Sequence, residues 1–353
     1  MTIRQGSGRV WFLLWLALLC FGLPELLAGS SPMWPLDPAI WIVTIPLYVL
    51  HFLLLVQIAL ATGRTGWPAL YLLGVVFGLY ESWITKVVWS GYPGSGGFAL
   101  GGLGKAFGLH ETVGLVLFYH PVFSFLLPLA VMCRLFPAWG EAFPVPGWLF
   151  GPGRWPLVRR WSLVATGATF DGANFGDPRV FLISWLPFLA LIVPGYLVIA
   201  AMVRRAGDRG AAITSPRLGR AGTALAILGL AAIYAFSYRG ILPERLPPLW
   251  VQAVTALAYP VLALLIRATP PVARPRATGQ PAVTPGAGRL PLILLLATFV
   301  GGLFISVTAL NETRAGQIVT VTVFVALVPL GAWLFFWLGL WQTLRRTAPS
   351  ATP

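Results

Sequence analysis

Three titratable side chains of this 353-residue chain lie at similar depth inside consecutive long apolar stretches: His51, Glu81 and His120. A carboxyl and an imidazole can exchange a proton, and either can act as a general base or as part of a metal-ligand set. Ionisable residues at membrane depth are costly, so each is a functional candidate by default. Glu81 is the leading one. It sits in Gly74-Val-Val-Phe-Gly78-Leu-Tyr-Glu81-Ser82, where Gly74, Gly78 and Ser82 form a stripe of small residues. Such a stripe lets a neighbouring helix approach closely, and Glu81 lies three residues past Gly78, near the same face. The bland alternative is a packing carboxyl, held neutral by a nearby hydroxyl.

Depth connects the three groups. At 1.5 Å per residue Glu81 lies roughly 12 Å, His120 roughly 14 Å and His51 roughly 18 Å from the outer ends of their helices. Glu81 and His120 are therefore expected as neighbours across two consecutive spans, and all three could line one substrate-binding cavity. Pro121 adds to the case for His120, because a proline inside a helix frees a carbonyl and bends the chain locally. Against this, a lone membrane histidine often only hydrogen-bonds across a helix interface, and that reading is favoured for His51.

The elements that position these groups follow from composition. Hydrophobic residues make up 58% of the chain and charged residues 10%, against about 25% charged in a soluble domain. So few charges could not cover a water-soluble globule. The 16 Trp suit side chains anchored at membrane interfaces. The net charge of +14 resides in arginines at the ends of apolar runs, as topology signals do, and no basic face suits nucleic acid. The expected fold is an all-α, polytopic transmembrane helix bundle whose first partner is the lipid bilayer.

Nine stretches reach the length a bilayer requires: approximately 10–28, 39–61, 68–89, 111–134, 181–203, 220–238, 248–267, 290–310 and 317–344. Arg4 and Arg9 precede the first, but Pro24-Glu25-Leu26-Leu27-Ala28 lacks a small-x-small cleavage pattern, so this span is expected to remain uncleaved. Alternating the nine spans puts Arg204, Arg205, Arg209, Arg217 and Arg220 outside, against the positive-inside rule, and the conflict repeats at Arg267, Arg274, Arg276 and Arg289. One added crossing, weak or re-entrant, between 135 and 180 removes it. The candidates are 137–153 and 161–177. The result is about ten crossings, both termini cytoplasmic, in a bacterial inner (plasma) membrane. Residues 1–203 form an N-terminal half carrying the polar groups. Residues 204–353 form a scaffold-like half with a disordered cytoplasmic linker at 268–289, rich in Pro, Gly, Ala and Arg.

Other polar residues read less sharply. Glu25 and Lys86 lie near the outer surface, where snorkelling suffices. Asp37 suits a turn or helix start. Asp171 and Asn174 matter only if 161–177 enters the membrane, and a cytoplasmic turn is the favoured reading. Asn311-Glu312-Thr313 matches the glycosylation tripeptide, which recurs by chance. Cys20 and Cys133 fall at different depths and read as small buried hydrophobes rather than a disulfide. The glycine-dense 90–104 lacks the Gly-Lys-Ser/Thr of a phosphate loop, and no motif names a cofactor.

The opening Glu25-Leu-Leu-Ala-Gly-Ser-Ser-Pro32, with the Gly78-Leu-Tyr-Glu81 region, resembles a group of uncharacterised bacterial multi-pass membrane proteins over about the first third of the chain. That likeness brings no activity. The chain is only faintly similar to CPBP intramembrane proteases, which pair two adjacent glutamates with a downstream arginine and intramembrane histidines. Here Tyr80 stands at the first glutamate, Thr85 and Lys86 follow Glu81, and Val116 precedes His120 by four. Three functions stay open. One is a permease-like or carrier-like protein moving a small molecule or ion, with Glu81 and His120 exchanging protons in an outward-facing cavity. The second is a non-catalytic membrane subunit or assembly factor with a membrane-protein partner. The third is an intramembrane hydrolase with Glu81 and His120 as catalytic residues.

Overall fold

The computed structural model describes residues 5–91, 108–143, 149, 154–207, 210–272 and 289–308, with isolated positions at 314, 318, 322, 330, 331 and 334. Nine long helices occur among them: α1 (Gln5–Ala28), α2 (Ile40–Thr62), α3 (Trp67–Thr85), α4 (Leu109–Leu135), α5 (Arg154–Phe175), α6 (Pro178–Ala206), α7 (Arg220–Gly240), α8 (Leu249–Ala268) and α9 (Arg289–Thr308). No strand occurs among the described residues. The helices start and stop for local reasons. Pro68 and Pro178 open α3 and α6 without wasting a donor, and the Asp177 side chain caps α6 by accepting from Arg179 N at 2.7 Å. Gly29, at φ +62°, turns the chain out of α1 in the left-handed conformation a side chain resists.

Eight of these helices, all but α5, are long and apolar enough to cross a membrane. Most of the expected ninth span at 317–344, most of the linker at 268–289 and residues 92–104 lie outside the described residues. Within the bundle, 72% of the apolar window of α3 and 83% of that of α4 are buried, against 17–28% for α6 to α9. Helices α3 and α4 thus form the centre, and α6 to α9 turn large apolar side chains such as Leu197, Leu228, Leu257 and Phe304 outward to face lipid.

Helix α5 fills the place of the added crossing. Its 22 residues measure about 33 Å, enough to traverse the hydrocarbon core. It lies parallel to α9: Arg160 and Leu163 line one cleft with Pro291 and Leu294, while Gly172, two turns and more further on, abuts Gly302 and Ile305. Arg154, Arg159, Arg160 and Asp171 make it less apolar than the other eight. This corrects the expectation of a cytoplasmic turn at Asp171 and Asn174. Both sit on α5, at the end where α1 finishes.

One end of the bundle collects the arginines. Arg9 donates to Ile213 O (3.1 Å) and Ser215 O (2.6 Å), and Arg64 donates to Arg267 O at 2.8 Å. Gln57 donates to Pro216 O at 2.8 Å, and Trp139 Nε1 to Thr214 O at 2.6 Å. The start of α1 and the loops after α2, α4, α6 and α8 therefore share one end. An odd number of crossings between α4 and α6 is what this requires.

Candidate functional site

The site begins with how closely α3 meets α4. A Cβ on Gly74 would stand 2.6 Å from Pro121 Cα, and one on Gly78 would stand 2.9 Å from Val116 Cα. The glycine stripe is thus a backbone-to-backbone contact. Helix α4 is wound wide over Thr112–Leu126, closing with Leu127 N bonded to Val122 O. Pro121 sits inside this wide segment and brings no N–H of its own. From α3, Tyr71 OH donates to the Leu117 carbonyl at 2.5 Å, a side-chain bond across the same contact.

That contact carries Glu81 to His120. Glu81 Oε2 lies 3.0 Å from His120 Nε2, with the two side chains 13% and 4% exposed. Neither atom makes an aligned hydrogen bond, so the contact is a close approach of a carboxyl oxygen to a ring nitrogen. On the other side of the ring His120 Nδ1 meets Ser124 Oγ at 2.9 Å. Ser124 is wholly buried and was not singled out in the sequence, although its spacing of one helical turn from His120 was visible. Phe77 stacks on His120, ring centroids 5.7 Å apart.

His51 stands behind Phe77. Its ring lies 4.6 Å from that of Phe77 and 4.1 Å from that of Tyr80, and its Nδ1 makes no hydrogen bond. The structure thus brings Glu81 and His120 into contact and places His51 next to an aromatic ring that both histidines share.

Towards the end of the bundle opposite the arginines, a second polar group corrects the snorkelling expectation for Glu25. Its Oε1 accepts from Tyr48 OH at 2.5 Å, and its Oε2 accepts from Ser30 Oγ (2.7 Å) and Ser31 Oγ (2.5 Å). The motif Glu25-Leu-Leu-Ala-Gly-Ser-Ser-Pro32 is therefore a carboxylate that folds its own hydroxyls back onto itself around Gly29. Tyr48 lies between the two groups, since it bonds Glu25 and its ring lies 5.4 Å from that of Phe77, which stacks on His120. Tyr119, beside His120 in the chain, donates to Pro24 O.

Lys86 also departs from expectation. It is fully buried and donates to Ser237 O at 3.0 Å and to Ile241 O, capping the end of α7. Asp37 behaves as the turn reading expects, its Oδ1 accepting from Ala39 N at 2.8 Å. Asn174 donates to Ala28 O at 2.5 Å and ties α5 to the end of α1. Asp171 is fully buried beside Trp185 and against Gly302. Cys20 and Cys133 are buried free thiols. Among the described residues no three His, Cys, Asp or Glu side chains gather as a metal site would need. Asn311 to Thr313 lie outside the described residues.

The sequence matches a family described as "Uncharacterized membrane protein family" over residues 12–347, and the chain belongs to that family. A protein of Archaeoglobus fulgidus named "Uncharacterized protein" is 31% identical over 193 residues, which is 53% of this chain and 58% of the relative. The likeness thus spans little more than half of either protein. No solved structure matches.

Proposed function

We propose that this member of the family is a carrier-like or permease-like membrane protein, in which Glu81 and His120 exchange protons with the outer side. The observation that carries the reading is the 3.0 Å approach of a carboxylate to an imidazole between the two most buried helices. Glu81, the more exposed partner at 13%, receives the proton, and His120 shares it. Ser124 steadies the far nitrogen of the ring, so a proton gained on Nε2 leaves Nδ1 bonded to the hydroxyl. Tyr48, Glu25 and Ser30 form a hydroxyl and carboxylate route from the outer end towards Glu81. The Arg-rich end is cytoplasmic in this reading, as the positive-inside rule directs, with the N-terminus on that side. The transported species is a small molecule or ion.

The second reading is a non-catalytic subunit or assembly factor, favoured by how dry the histidines are: His51 is 4% and His120 3% exposed. Glu81→Gln separates the two. Gln keeps size and hydrogen bonding but cannot carry a proton. Under the carrier reading it abolishes the host's dependent growth phenotype at normal protein abundance. Under the packing reading it grows as wild type, and that outcome rejects the site. Glu81→Ala lowers abundance in both cases, because it strands a buried partner.

A further inference from the structure

Away from Glu81, a narrow cleft opens between α1, α4, α5 and α9. Its walls include Leu27, Val131, Leu163 and Leu295, and the lining is hydrocarbon except for Arg160 and Thr298. Arg160 marks one end. At the other, a Cβ on Gly167 would already meet Leu27 at 3.1 Å and Thr298 at 3.2 Å, so the walls close there. The seven residues of α5 between these points span roughly 10 Å, room for part of one hydrocarbon chain.

An arginine stands at the mouth. Arg160 is half-buried and spends one N–H on Leu149 O at 3.3 Å. A guanidinium has five donors in a planar fork that suits phosphate oxygens. Arg154 and Arg159 stand on the same first turns of α5, and Arg134 closes α4. All lie at the arginine-rich end of the bundle. A purely apolar groove in a membrane protein accepts any lipid tail. An arginine at the groove's end, where headgroups lie, adds a preference for negative charge, since basic pockets between membrane helices attract anionic headgroups.

We propose that this cleft binds an anionic phospholipid, with the phosphate at Arg160 and one acyl chain running along α5 towards Thr298. The site is separate from Glu81 and stands or falls without it.

The test uses the purified full chain in phosphatidylcholine nanodiscs. The probe is phosphatidylglycerol with a photoactivatable group at the acyl-chain end, compared with the matching phosphatidylcholine probe. The phosphatidylglycerol probe is expected to label α5 and α9 around Leu163 and Leu295, and Arg160→Gln to weaken that labelling about fivefold, the effect of one arginine near an anionic headgroup. Arg160→Lys retains most of it. Val164→Phe, which fills the cleft and leaves the arginine in place, removes it. Unlabelled phosphatidylglycerol competes and inorganic phosphate does not. Equal labelling by the two lipids, or labelling indifferent to both Arg160→Gln and Val164→Phe, overturns the proposal. Competition by inorganic phosphate alone overturns it too, since an anion site without a chain is then present.

Discussion

A single methyl group tests how the site is held. Gly74→Ala places a carbon 2.6 Å from Pro121 Cα, 3.0 Å from its Cβ and 3.1 Å from its carbonyl oxygen. Favourable carbon–carbon contact begins near 3.5 Å, so α3 and α4 must part by roughly 0.9 Å at this level. The obstructing atoms are mostly backbone, which has no rotamer to move aside. Overpacking of this kind costs about 1–3 kcal/mol, offset by the ~1 kcal/mol that Ala gains over Gly in a helix. The expected net loss is roughly 0–2 kcal/mol, towards the upper end because the blocking atoms are mostly backbone. Glu81 lies about two turns further along the same face, so its 3.0 Å approach to His120 opens towards about 4 Å under the same displacement. Thermal unfolding of the purified protein in detergent reads the first effect, with Gly6→Ala as control because nothing lies within 4 Å of its added carbon. Gly74→Ala should melt below wild type, and Gly6→Ala at or slightly above it. If Gly74→Ala melts as high as wild type, the close backbone approach is wrong and so is the packing that positions Glu81.

Other consequences are as direct. Tyr71→Phe removes the donor to the Leu117 carbonyl and should cost about 0.5–1.5 kcal/mol in the same unfolding assay, the net worth of one buried hydrogen bond. Gly29→Ala meets a positive φ and an Asn174 Cβ only 2.7 Å away, so it should lower stability by at least about 1 kcal/mol. Reporter fusions at residues 210 and 278 should both read as cytoplasmic, and a periplasmic signal at either position contradicts the topology.

Much of this architecture is legible in the sequence where the signal is local. Apolar length alone marks the eight spans, the spacing of Gly74 and Gly78 announces a close helix contact, and counting residues along two helices sets Glu81 level with His120. Arginine placement demands a crossing before residue 180. What stays hidden depends on partners far along the chain. Helix α5 hides because Arg154, Arg159, Arg160 and Asp171 interrupt its apolar run, and the packing that buries Asp171 against Gly302 comes from α9, late in the chain. Lys86 reads as a snorkelling surface residue because the carbonyls it caps, at Ser237 and Ile241, are 151 and 155 residues away. Glu25 is the instructive case: two of its three hydroxyl donors lie within six residues, so the motif's self-contained turn was readable, whereas Tyr48 was not.

The central claim is that Glu81 carries a proton between the outer side and the interior of the bundle. The direct measurement is proton entry into proteoliposomes loaded with a pH-sensitive dye, following an external acid pulse with the membrane potential clamped by potassium and valinomycin. Wild type and Glu81→Gln should insert equally. Wild-type vesicles should acidify faster than protein-free vesicles, and Glu81→Gln vesicles should match the protein-free rate. Equal rates for wild type and Glu81→Gln would contradict the account.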